Sequence, residues 1–295
     1  WDMNDIQSRN TVYSILYGMR AATEEVLLQS NMQFPPGIKV NNEHTATPAA
    51  TIFGIEVHSG DLLVSRGGAE ASALISRGND YPGNFSHVAL VHVDEATGVA
   101  SVIEAHIENG VFVRPIEEYL AETKLRILVL RLRDDLPQMR ADPLLPHRAA
   151  ALSLSNSLVR HIPYDFAMNH ADPEKQFCSE VASTVYRSVG VTLWSFHSNL
   201  STPGVISWLA ALGVRNFETQ EPSDLEADPQ LRVVAEWRDL ETLSRDHVDN
   251  AVIDAMLEGA ERGAPLDYQV WQLPAIRLAK VWSVLQNRLG RVGPV

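Results

Sequence analysis

The chain has 295 residues, 45% of them hydrophobic and 21% charged, with 24 Lys and Arg against 37 Asp and Glu, a net charge of −13, and one cysteine. A chain of this length buries roughly three quarters of its unfolded surface without covalent staples, so general disorder and a small disulfide scaffold are excluded. An acidic body with no basic patch repels phosphate backbones and anionic lipid, and no run nears the roughly 20 apolar residues of a membrane span, so neither nucleic acid nor an integral span is expected.

Val12, Ile15, Leu16, Met19, Ala22 and Val26 recur at helical spacing and predict an amphipathic helix over residues 6–29, ending before Pro35-Pro36-Gly37. Residues 38–50 are polar and aperiodic and read as a surface loop. Strands are predicted at 61–65, 86–93, 99–106, 111–114 and 125–133, with turns at Asp94-Glu95-Ala96-Thr97-Gly98 and Glu108-Asn109-Gly110, the pattern of a meander. Short helices fit 69–76 and 116–122, and longer ones 146–160 and 178–189. Beyond Gly190 come an aromatic loop, a helix at 203–212, an acidic linker at 218–229, a strand at 231–235 and two helices at 240–261 and 266–289, the last kinked at Pro274.

These elements divide into an N-terminal helix and linker over 1–50, a central α+β domain over 51–215, and a C-terminal linker and helical extension over 216–295. The chain opens on Trp1 rather than Met, which leaves open a removed signal peptide and with it a periplasmic or secreted location.

The single cysteine, Cys178, stands in Phe177-Cys178-Ser179-Glu180 at the start of a helical pattern. There unpaired backbone N–H groups and the helix dipole favour a thiolate. The competing reading is packing, because Cys178, Val181, Ala182, Val185 and Val189 share one helical face. A thiol nucleophile needs an imidazole, and the imidazole an orienting group. If the strands at 86–93 and 99–106 form a hairpin, His87 falls opposite Glu104 and both side chains point to one face. His106 shares that face and is a substitute third member, whereas His92 has the opposite parity.

The ordered set Gly60-Asp61-Leu62-Leu63, Phe85-Ser86-His87-Val88, Val102-Ile103-Glu104-Ala105, Pro163-Tyr164-Asp165-Phe166 and Phe177-Cys178-Ser179-Glu180 resembles the YiiX/YebB-like proteins, circularly permuted papain-like members of the NlpC superfamily of cysteine hydrolases. The resemblance covers about residues 59–212. It implies an α+β, permuted papain-like fold with an antiparallel sheet and a nucleophile helix, flanked by helical extensions at both ends. Cys178 matches the nucleophile, His87 the base and Glu104 the orienting residue. Tyr164 and Asp165 match a family motif, and with Ser86 and His106 they are the expected substrate contacts.

The expected activity is hydrolysis of a small amide or ester through an acyl-enzyme, with no cofactor and a small-molecule, peptide or acyl substrate. A lipid-directed acyltransferase or lipase, or a non-catalytic binding protein, is the alternative. A metal site among His87, His92, Glu104 and His106 is set aside, since His92 points away from the others and no His-Glu-x-x-His helix exists. Gly67-Gly68 lacks the Lys-Ser/Thr of a phosphate loop.

Overall fold

The structure, a computed structural model, describes residues 2–30 and 37–264 with scattered positions beyond. Most of the kinked helix expected over 266–289 lies outside the described residues. The first half of the chain holds α1 (Ile6–Gln29), β1 (Gly37–Lys39), β2 (Ala49–Ile52), β3 (Ile55–His58), β4 (Leu62–Gly67), α2 (Glu70–Arg77), β5 (His87–Val93), β6 (Ala100–His106), β7 (Gly110–Pro115), α3 (Ile116–Ala121) and β8 (Lys124–Leu132). The second half holds α4 (Pro137–Ala141), α5 (Leu145–Val159), α6 (Cys178–Ser188), β9 (Ser198–Asn199), α7 (Pro203–Leu212), β10 (Glu218–Thr219), β11 (Leu231–Arg238) and α8 (Leu240–Glu261).

Seven strands make one antiparallel sheet in the order β1-β11-β8-β4-β5-β6-β7. Alternate residues of each strand feed opposite faces. Leu62, Val64, Val88, Leu90, Ile103, Leu128 and Leu130 pack with Ala149 and Ala150 of α5 and Val181, Ala182, Val185 and Tyr186 of α6. Leu63, Ala89, Val91, Val102, Ile127 and Val129 pack on the other face with Val57, Ile116, Tyr119 and Trp237. Two covered faces explain why these strands read as nearly unbroken apolar runs.

The sheet crosses the boundaries drawn at residues 50 and 215, because β1 and β11 pair with each other and β11 pairs with β8. The helix α1 also differs from its expected docking. Ile15, Met19 and Val26 of the apolar stripe face solvent, and the buried positions are Arg9, Tyr13 and Glu24. Charge holds this helix in place: Arg9 pairs with Asp224, Arg20 with Glu226 and Glu236, and Glu24 with Arg126.

In the Gly60-Asp61 pair, Gly60 has φ +97°, and a Cβ there would lie 2.3 Å from the Pro146 side chain. Only glycine satisfies both constraints. Its carbonyl accepts the Tyr186 hydroxyl, which anchors α6 to the sheet, while Asp61 takes both ends of the Arg131 guanidinium at 2.8 Å.

The expected hairpin forms, in a register two residues from the one anticipated. Val93 faces Ala100 and Leu90 faces Ile103, where the pairing of β5 with β6 stops. His87 to Ala89 still pair with β4, and Glu104 to His106 with β7, so the two strands part at this end of the sheet. The N-terminus of α6 meets the sheet at that opening.

Candidate active site

Cys178 is the first residue of α6 and is 8% exposed. Burial pushes its thiol up to about 11, against the opposing pull of the Val88 backbone N–H, the Ser179 hydroxyl and the Ser179 backbone N–H. The Val88 N–H reaches the sulfur because the β5 to β6 ladder has ended before that residue. The resting group is therefore a thiol at neutral pH, which corrects the expected thiolate: desolvation outweighs the helix terminus. An activating base is correspondingly more necessary.

His87 supplies an imidazole at the same opening. Its Nε2 lies 2.5 Å from Glu104 Oε2, and its ring centroid lies 5.2 Å from that of His106. The register, continued, would set His87 against His106 rather than Glu104. A slip of two residues preserves the face on which each side chain stands, so the expected pair still meets. Burial holds the His87 pKa below the usual imidazole value, with Glu104 opposing. Glu104 is fully buried, and although burial favours its neutral form, hydrogen bonds from His106 and His87 hold it well below the usual carboxylate range.

Glu104 has three partners. Its Oε2 also lies 3.1 Å from His106 Nε2, and its Oε1 lies 2.5 Å from Arg114 Nε. Ligand atoms of His87, Glu104 and His106 all fall within 4.8 Å of one another, so these three converge as a metal set would, while His92 stacks on His147 elsewhere. The guanidinium of Arg114 on the same carboxylate opposes a cation there. The carboxylate instead neutralises Arg114 and orients two imidazoles.

A pocket of about 260 Å³ is lined by Cys178, His87, Ser86, His106 and Tyr164, with Ile75, Ile107, Met168 and Phe177 as apolar wall. Four of the six other expected site residues thus share its cavity with Cys178, while Glu104, bonded to both imidazoles, does not line it. Asp165 does not line it either. Its buried carboxylate accepts the backbone N–H groups of Ala167 (2.9 Å) and Asn169 (2.5 Å), bracketing Met168, which is held at φ +55°. Asp165 shapes the loop that puts Met168 in the wall. The Ser86 hydroxyl is bonded to that of Ser72. Burial and the neighbouring Cys178 push the Tyr164 phenol far above its usual value.

The residues missed are Thr219, Gln220 and Glu221, which also line the pocket. Gln220 Oε1 accepts the Ser183 hydroxyl of α6 at 2.7 Å, which fixes the amide, while its Nε2 and the Thr219 hydroxyl are buried without partners among the described residues. The Glu221 carboxyl has no hydrogen bond among the described residues, and burial followed by the charge of Asp224 pushes it up to about 8. Their segment reads as an acidic linker, and no spacing ties it to Cys178.

The family described as permuted papain-like amidase enzyme, YaeF/YiiX, C92 family, matches residues 56–235. Among solved structures, the crystal structure of metalloprotein yiiX from Escherichia coli O157:H7 is similar at 19% identity, over 61% of this chain and 98% of that chain, with a TM-score of 0.47. No curated protein matches. Among the described residues no helix is long and apolar enough to cross a membrane.

Proposed function

The chain belongs to the permuted papain-like amidases, and on that premise we propose that it cleaves a small amide or ester through Cys178, His87 and Glu104. The observation that carries this reading is that the lone sulfur and an imidazole already oriented by a buried carboxylate line one pocket.

Glu104 occupies Nε2 of His87, so Nδ1 is the nitrogen for the thiol. The Cys178 proton passes to Nδ1 as the sulfur bonds to the substrate carbonyl carbon. The imidazolium then gives that proton to the departing nitrogen or oxygen, leaving a thioester on Cys178. Water, losing a proton to His87, adds to the thioester. Collapse releases the carboxylic acid, and the sulfur recovers its proton. Glu104 offsets the transient positive charge on His87. The oxyanion would take the Cys178 backbone N–H at the start of α6 and the Gln220 amide, whose unpaired Nε2 supports its role as second donor. Ile75, Ile107, Met168 and Phe177 suit a short acyl or peptide group.

The test is intact-mass measurement after exposure to acyl-amino acids, muropeptides and lipid esters. A mass gain equal to the acyl group on the wild-type protein, absent from Cys178→Ala, is expected. Undiminished turnover by Cys178→Ala would overturn the reading.

A further inference from the structure

We propose that His170, His197 and Glu218 form a binding site for a divalent transition cation of the zinc type, separate from the catalytic cluster. One ligand atom from each lies within 4.8 Å of the others. The imidazole rings meet edge to face with centroids 4.6 Å apart, and His197 Nδ1 lies 2.9 Å from Glu218 Oε1. His170 Nδ1 is buried with no hydrogen-bond partner. An orphaned buried imidazole nitrogen calls for an explanation, and a coordinated ion supplies one.

The donor set is selective. Two imidazoles and one carboxylate suit zinc and its neighbours, whereas calcium and magnesium take oxygen. Water would complete a tetrahedron. Arg187 is exposed and forms no ion pair with Glu218 among the described residues, unlike Arg114, which touches the catalytic carboxylate.

Three separately anchored segments bring the ligands together. The loop carrying His170 is tied through the Ala167 carbonyl to the backbone N–H and side-chain amide of Asn216 at 3.0 and 2.9 Å. The His197 carbonyl accepts from Arg9 at 2.5 Å, and Glu218 pairs with Asn199 in the β9 to β10 ladder. Met168 lies two residues before His170, and Thr219 to Glu221 directly follow Glu218. Both segments contribute to the lining of the pocket. A cation here would staple these two lining segments together.

The test uses the full chain, chelator-stripped, in a Cys178→Ala background so that the thiol does not compete. Zinc chloride is titrated by calorimetry, with thermal melts alongside. One equivalent of zinc should bind and raise the melting temperature. His170→Ala and His197→Ala should each weaken binding by about tenfold or more, and Glu218→Gln by less, with metal-free melts showing that each variant folds. His106→Gln should bind as tightly as its parent. No binding at submillimolar zinc, binding that persists in the His170→Ala/His197→Ala double variant, or binding lost in His106→Gln would each overturn the proposal.

Discussion

Glu104 and His87 meet at 2.5 Å just beyond the point where the ladder between their strands ends. The parting of β5 and β6 that ends the ladder also frees the Val88 N–H for the sulfur, so one irregularity serves both halves of the site. Replacing Glu104 with Gln removes the charge that offsets an imidazolium and permits the wrong ring tautomer. In steady-state assays kcat should fall by about 10² to 10⁴, with little change in KM. Cys178→Ala and His87→Ala should abolish turnover. A Glu104→Gln variant with wild-type kcat would reject the orienting role.

The pH profile follows from two opposite displacements. His87 titrates below the usual imidazole value, and Cys178 is pushed up to about 11. The reactive form of the free enzyme holds neutral imidazole and neutral thiol, so kcat/KM should rise through an acid limb below pH 6.5, stay level across neutrality and change only near pH 11. Alkylation of the resting thiol by iodoacetamide should be slow at pH 7. An acid limb near pH 4 that tracks thiolate formation would contradict this assignment.

Gln220 should act on the transition state rather than on binding. Gln220→Ala is expected to lower kcat by about 10² to 10³ with KM nearly unchanged. Gln220→Glu, of the same shape but negatively charged, should be at least as impaired. A change confined to KM would make Gln220 a pocket wall and nothing more.

The parts of this site legible in the sequence are those written in local pattern. The α6 start at Cys178 and the turns flanking β6 carry turn and helix signals, and strand parity alone puts His87 and Glu104 on one face despite the two-residue slip. Gln220 and Glu221 were not legible, because their place in the Cys178 pocket depends on the path of the chain after α7. The buried polar face of α1 was hidden for a related reason. Arg9 and Glu24 lie inside only because Asp224 and Arg126, far away in sequence, wait for them. Asp165 sits in a motif, yet its carboxylate turns back to its own loop.

Glu221 makes stability depend on pH in a stated direction. Its folded pKa of about 8 exceeds the ordinary 4.5, first through burial and then through Asp224. The folded state thus holds a proton that the unfolded chain has released. This contribution is full below about pH 4.5 and is lost as pH rises toward 8. Glu221→Gln cannot ionise, so its stability relative to wild type, from urea unfolding at pH 5 and pH 8.5, should increase with pH. A difference that is constant across that range would show that the carboxyl ionises freely.

The terminal helices should prove integral to the fold, because ion pairs rather than apolar stripes dock them. Arg126, on the interior strand β8, lies 2.6 Å from Glu24 of α1 and 2.8 Å from Asp246 of α8, and Asp246 also pairs at 2.9 Å with Arg66 of β4. All four are essentially inaccessible to solvent. Arg126→Met would leave Glu24 without a guanidinium and Asp246 with Arg66 alone in a site that water cannot reach, at a cost of about 3 to 5 kcal/mol. Glu24→Gln should be milder, since Arg126 keeps Asp246. The exposed pair of Arg160 and Glu174 is the control, and Arg160→Ala should change stability by less than about 1 kcal/mol. Chemical denaturation of the three variants should give that order. An Arg126→Met protein as stable as wild type would mean that the helices dock by other contacts.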